Sequence, residues 1–302
     1  MVMGTVETYL AVRRAAGYAL EGQEWTLRSF ARYANARGDS HVRSSTAIAW
    51  AGQARSLARR AARLKDVVRL ARHARAEDPG HEVPPADVFG SHRHRPVPYI
   101  FSPSAFAGLI TQARLLKPQR SLWPRTFTTL LALLLCSGLR ISEALSLRFE
   151  DVTADGLLIR RSKFKKTRLV PLHATAAAEL GRYLVHRRRA GGTTDRVFIS
   201  QRGRPLQYRR VHLAFRRVVH AAGIALPGRP TPHLHSLRHS FAVRALLTCP
   251  DGRHSIARHT LALSTYLGHT HVADTYWYFE ATPELMTDVA ARCERFMERG
   301  AS

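Results

Sequence analysis

Cysteine is scarce in this chain: three in 302 residues, Cys136, Cys249 and Cys293, at wide spacings and with no CxxC pair. A disulfide framework and a cysteine zinc site are thereby excluded, and the three read as reduced thiols. No apolar run approaches the roughly 20 residues that a membrane helix needs. The longest surrounds Leu130 to Cys136, and the opening MVMGTVETYL has no secretory-signal pattern. No membrane partner is expected, and the protein is placed in the cytoplasm. Acid is short everywhere: 22 carboxylates face 47 basic residues, and residues 196–250 hold ten arginines and no carboxylate at all. Lysine is rare too, five against 42 arginines. Internal repeats and low-complexity tracts are missing.

What is present begins with charge. The formal net charge of +25 attracts polyanions and raises their encounter rate, so double-stranded DNA is the expected partner and the nucleoid the expected address. Sixteen basic and nine acidic residues precede position 98, and 31 and 13 follow it, so both parts carry an excess that suits phosphate. A general binder of the ribosomal or chromatin kind would fit the charge equally well. The 45% hydrophobic content is that of a folded protein with a buried core, and the length suits two domains.

The fold class that the patterns predict is mainly α, with a small β-hairpin or three-stranded sheet. Residues 5–76 read as helices throughout, with Leu27, Phe30, Ala31 and Ala34, then Leu64, Val67, Val68 and Leu70, at helical spacing. We take residues 1–79 as a helical bundle, the proline-rich stretch 80–99 as a linker, and 100–302 as a second domain. That domain opens with FTTLLALLLCSGLRISEALSL. The spacing predicts an apolar helix ending at Cys136 or Ser137, a left-handed turn at Gly138, Arg140 in the elbow, and a new helix from Ser142. GLLIRRSKFKKTRLVPL reads as a hairpin whose turn holds Lys163, Lys165 and Lys166, with a further short strand expected at Val197 to Ser200. Helices follow near 174–189, 208–222, 235–248 and 254–267.

His235 and Arg238 in TPHLHSLRHSF stand three apart on one helix face, about 5 to 6 Å from each other, a spacing for two donors aimed at one phosphate. A plain surface pair has the same spacing. STYLGHTHVADTYWYFE packs rings densely, and the helical stripe Val272, Tyr276, Phe279 predicts Tyr276 in the core. Tyr278, about 200° round the helix from Tyr276, is then the exposed hydroxyl, and Tyr266 a packing residue. Three of the five lysines fall in one turn. Chance in an arginine-rich chain explains that, and so does chemistry, since an ammonium can be tuned to donate a proton and a guanidinium cannot. His233, His235 and His239, or His269 and His271, could be drawn as a metal cluster, but no HExxH or paired-cysteine spacing accompanies them, and no metal is expected.

Together these residues resemble, in order and context, the tyrosine recombinases of the phage integrase family. The resemblance rests on Arg140 in CSGLRISEALSL, Lys163 in SKFKKTRLVPL, His235 and Arg238 in HSLRH, His269 in YLGHTHV and Tyr278 in DTYWYFE. It covers roughly residues 100 to 295, and the helices before it resemble the family's core-binding domain in layout. VADTYWYFEATPEL is further similar to recombinases carried by transposons.

The resemblance implies a site-specific DNA recombinase or integrase, serving a mobile element, that works through a 3′-phosphotyrosyl intermediate. Tyr278 would be the nucleophile, nine residues after His269. Arg140 and Arg238 would clamp the non-bridging oxygens with paired N–H bonds, which lysine cannot offer. His269 would add a phosphate donor, and His235 would assist proton transfer or contact phosphate. Lys163 would protonate the leaving 5′ oxygen, with Lys166 in reserve, and Glu143 would orient the cations. No cofactor is implied, neither ATP nor a divalent metal. The working form would be a homotetramer on two DNA sites, alone or with related recombinases, its C-terminal residues packing on a neighbour. Two rivals use similar parts: a type IB topoisomerase relaxing DNA as a monomer, and a non-catalytic DNA-binding regulator.

Overall fold

A computed structural model describes residues 1–18, 20–90, 97–160, 167–225, 231–248, 253–269 and 271–280. The chain divides into two compact units, Met1–Arg95 and Pro96–Ser302. The mainly helical architecture with one small sheet is the one the patterning predicts, and none of the described helices is long and apolar enough to cross a membrane.

The first unit consists of α1 (Val2–Ala15), α2 (Glu21–Asn35), α3 (Ser44–Gly52) and α4 (Leu57–Glu77). Their apolar faces meet in one core that buries Val6, Leu10, Leu27, Phe30, Trp50, Leu64 and Val68. Ser56 caps α4 by accepting from the Arg59 amide. The chain after α4 lies back on the bundle. The Glu82 amide donates to the Val42 carbonyl at 2.9 Å, its carboxylate takes the Ser44 amide at 2.8 Å, and Val83 and Phe89 pack on the core. The division between the units falls at Arg95, inside the stretch read as a linker.

The second unit is organised around α6 (Trp123–Ser137), which follows α5 (Pro103–Arg114). Helix α6 is apolar nearly all round, and Phe127, Leu130, Leu131 and Leu134 are buried on several of its sides, as expected of a helix at the centre of a core. Helix α7 (Ile141–Ser146) starts one residue before the predicted point, and a 3-10 turn, Phe149–Asp151, leads into the sheet. Strands β1 (Val152–Thr153), β2 (Gly156–Ile159) and β3 (Arg168–Val170) are antiparallel in the order β1-β2-β3, with Leu157 opposite both Val152 and Val170. Helices α8 (Ala174–Arg189), α9 (Tyr208–Ala221), α10 (Leu234–Leu247), α11 (Arg253–Leu267) and α12 (Ala273–Glu280) complete the unit. The first four lie within one residue of their predicted bounds.

One strand is misplaced by the pattern. The third strand is Val152–Thr153, ahead of the hairpin, whereas Val197 to Ser200 forms only isolated bridges, Arg196 to Arg148 and Ile199 to Pro205. Val197 and Phe198 are apolar because they fill the core beside α6 and α8, where Tyr183 stacks on Phe198. Burial selects such residues as strongly as a ladder does.

Candidate active site

The site starts from the elbow between α6 and α7. Gly138 takes a left-handed conformation (φ +61°), and a Cβ there would come within 2.5 Å of Phe241 Cδ1, so both the turn and the close approach require glycine. Arg140 then caps α7 with extended backbone. Its amide donates to Glu143 Oε2 at 2.9 Å and its Nη1 to Oε1 at 2.8 Å. Its Nη2 reaches the Gly268 carbonyl at 2.9 Å, far along the chain. Arg238, on α10 and 2% exposed, does the converse. It donates from Nη1 to the Gly138 carbonyl at 2.6 Å and from Nη2 to the Leu267 carbonyl at 2.7 Å. Each arginine thus grips backbone beside the other's neighbourhood, and the elbow is stitched to the loop between α11 and α12.

Glu143 is 7% exposed and serves a second cation. Arg168, at the head of β3, makes a two-pronged pair with it, at 3.0 and 2.8 Å, and donates from Nε to the Tyr266 carbonyl at 2.9 Å. Desolvation alone would raise the pKa of Glu143, but the bonds from Arg168 and from the Arg140 amide outweigh it and hold the carboxyl below its usual range. Two guanidinium groups therefore share one carboxylate, and the charge of Arg238 adds a third cation close by. The surplus positive charge suits a phosphodiester, and burial first, with the charge of Arg140 second, lowers the pKa of Arg238 to about 10.

The histidines feel the same field. His235 is exposed on α10, yet desolvation by its close neighbours and the charges of Arg238, His233 and Arg140 lower its pKa to about 4. His269 is held at about 4 by desolvation, Arg238 and Arg140, and its Nδ1 lies 2.8 Å from the fully buried Thr275 hydroxyl. At neutral pH both rings are uncharged and offer N–H donors. Thr275 occupies one nitrogen of His269 and leaves Nε2 for a ligand.

Tyr278 reverses the expected face. It is 2% exposed and belongs to the core of α10 to α12 with Val243, Leu246, Leu263 and Leu267, whereas Tyr276 is 53% exposed. Helix α12 has eight residues with rings on several sides, so its inward face is chosen by the packing of Thr275 and Tyr278, three apart, and not by the stripe through Tyr276. The Tyr278 hydroxyl is 3.1 Å from His239 Nδ1, and its ring stacks with that of His269, centroids 6.5 Å apart. Tyr266 packs as expected, stacked on Phe241 at 5.4 Å.

Arg140, Glu143, His235, Arg238, His269 and Tyr278 are thus brought together from four separate stretches of chain. Lys163 and Lys166 lie outside the described residues, between β2 and β3. Reading the sequence missed three participants. Arg168 carried a signal as the one arginine that opens the second hairpin strand, Thr275 stands three before the tyrosine, and His239 was weighed only as a metal ligand. Among the described residues no group of three His, Cys, Asp or Glu is disposed to hold a metal ion. His235 and His239 instead meet edge to face at 4.6 Å.

The profile of the phage integrase family matches residues 118–284. The chain is 37% identical over 306 residues to y4rB of Sinorhizobium fredii (strain NBRC 101917 / NGR234), named as an integrase/recombinase, and the match covers 97% of each chain. XerC of Methylobacterium sp. (strain 4-46), a tyrosine recombinase by name, is 41% identical over 150 residues, 49% of this chain and 43% of that one. Among solved structures the fold is similar to the Tn1549 transposon integrase in complex with transposon right end DNA (TM-score 0.68, 18% identity, 99% of both chains). It is also similar to the XerH site-specific recombinase bound to a palindromic difH substrate (TM-score 0.67, 17% identity, 90% of this chain and 79% of that one).

Proposed function

Because the chain belongs to the phage integrase family and is a tyrosine recombinase, we propose that it cuts and rejoins duplex DNA at a specific site through a covalent bond between Tyr278 and a 3′ phosphate. Attack by the Tyr278 oxygen builds charge on the non-bridging oxygens, and the surplus guanidinium charge of Arg140 and Arg238 offsets it without a metal ion or a nucleotide. Neutral His269 and His235 add N–H donors to the phosphate. Lys163 protonates the leaving 5′ oxygen, with Lys166 the alternative donor. Glu143 and Arg168 hold the clamp in shape. The phosphotyrosyl bond keeps the energy of the broken one, so a 5′ hydroxyl from a second DNA completes the exchange.

A single observation carries this reading: a buried tyrosine, two guanidinium groups and two histidines converge from α7, α10, α12 and the loop before α12. Exchange between two duplexes calls for four such sites, so the working form is a tetramer on DNA. The likeness over its whole length to an integrase/recombinase supports service to a mobile element, which inverted repeats in the flanking DNA would corroborate.

The test is a nicked half-site that traps the intermediate. The wild type accumulates a covalent complex, and Tyr278→Phe binds DNA as before and forms none. Persistence of the covalent band in that variant, or its loss in Tyr276→Phe with folding and binding intact, sinks the assignment.

A further inference from the structure

Resting on that reading, we propose that His239 is the group that takes the proton from Tyr278 as the nucleophile attacks. The observation is the contact of its Nδ1 with the Tyr278 hydroxyl at 3.1 Å. A phenol buried to 2% exposure must spend its one O–H on an acceptor. An uncharged imidazole accepts at Nδ1 when its single proton sits on Nε2. The ring is held in place on two other sides, by His235 at 4.6 Å and by Trp277 at 5.3 Å, so its aim at the hydroxyl is fixed before DNA arrives.

The charges around it decide its protonation. Among the described residues, desolvation first, and then the electrostatic influence of the neighbouring rings His235, His233 and His269 and of the Arg238 guanidinium, press the pKa of His239 down to about 3 in the free protein. It therefore waits unprotonated, in the form able to accept. A phosphodiester seated between Arg140 and Arg238 brings negative charge into the same field, counters the arginine charge and raises the basicity of the ring when the proton has to move.

The step balances. As the tyrosine oxygen bonds to phosphorus, the phenolic proton passes to His239 Nδ1. The bond from phosphorus to the 5′ oxygen breaks, and that oxygen takes a proton from the general acid assigned to Lys163. On rejoining, a 5′ hydroxyl attacks and gives its proton back to the general acid assigned to Lys163, the tyrosine oxygen leaves, and the imidazolium returns its proton to it. His235 is thereby released from proton transfer and left with the phosphate. The sequence had offered it for either task.

The experiment measures single-turnover cleavage of the half-site by the full chain carrying His239→Asn or His239→Ala, with Tyr278→Phe alongside. Asn keeps a hydrogen bond to the phenol but cannot take its proton. We expect His239→Asn to slow cleavage by about 10² to 10⁴ at neutral pH. Its rate should then climb about tenfold per pH unit between pH 7 and 9, as solution base replaces the imidazole, while the wild type stays nearly flat. Added imidazole should accelerate His239→Ala, whose truncation leaves room for it, and should leave the wild type unchanged. A His239→Asn rate within threefold of wild type overturns the proposal. So does a loss in both variants that neither pH nor imidazole restores, whether from misfolding or lost packing, because a proton acceptor must be replaceable. If Tyr278→Phe itself still cleaves, the proposed function has failed and not this assignment alone.

Discussion

Glu143→Gln offers the sharpest test of how the clamp is built. The substitution keeps size and one carbonyl oxygen but removes the carboxylate that the Arg140 and Arg168 guanidinium groups share, and places an NH2 against one of them. Four hydrogen bonds end on that carboxylate, two from Arg140 and two from Arg168, at 2.8 to 3.0 Å. Losing one partner of a fully buried pair costs about 3 to 5 kcal/mol. Here the side chain of Arg140 is 22% and that of Arg168 13% exposed, so water recovers part, and about 2 to 4 kcal/mol is the reasonable figure. For a unit of this size that is a fall in Tm of roughly 4 to 16 °C. The same change adds positive charge beside the phosphate site, so DNA affinity should hold or rise. Cleavage should fall by about 10² or more, because an ångström of misplacement in a clamp is worth that much. Thermal denaturation, a filter or mobility assay at fixed salt, and half-site cleavage read the three quantities. A Tm within 2 °C of wild type, or affinity and cleavage lost in parallel, refutes the reasoning.

Acid should unsettle the catalytic unit early. His235, His239 and His269 take up protons near the ordinary pKa of about 6.5 once unfolded, but only near 4, 3 and 4 when folded. The unfolded chain binds more protons in between, so stability that is full above about pH 6.5 is lost as pH falls toward 4. A Tm that stays level from pH 7.5 to 4.5 would contradict those environments. Thr275→Val should cut cleavage about tenfold by freeing the His269 ring, while costing only about 1 kcal/mol of stability; unchanged cleavage would strip Thr275 of its role. Lys163→Ala should slow cleavage by about 10² to 10⁴ and recover on a 5′-bridging phosphorothiolate, whose sulfur departs without a proton, whereas Arg140→Ala should not recover. If Lys166→Ala is the variant that recovers, the donor is the other lysine.

What could be read from residues alone was whatever local chemistry settles. An apolar helix, a glycine and a polar restart leave few conformations for GLRISEAL, so Gly138 and Arg140 were placed before any coordinates. His235 and Arg238 share a helix, and their juxtaposition follows from its pitch. The tyrosines were inverted because an eight-residue helix has too few turns for an apolar stripe to outvote its neighbours, and α10 and α11 decide which ring goes inward. Arg168 escaped notice since its partner, Glu143, lies 25 residues earlier, and nothing within β3 announces an ion pair. His239 was seen, but as a candidate ligand among histidines. Only its distance to a phenol, 39 residues away in the chain, gives it other work.

The crossed bonds of the two clamping arginines have an evolutionary side. Arg140 fastens the Gly268 carbonyl, and Arg238 fastens those of Gly138 and Leu267, so Arg238 anchors the turn that presents Arg140 and the two together hold the backbone at Leu267 and Gly268. One nitrogen at the end of a lysine could not hold two carbonyls apart and meet a phosphate as well. Drift at either position therefore removes a donor and a fastening in one stroke, and loosens the Leu267 and Gly268 backbone on which the surviving arginine also depends. The two should persist or perish as a single inherited character. In a lineage where the protein no longer works, the pair should vanish together, and the fold around the elbow should slacken along with the chemistry.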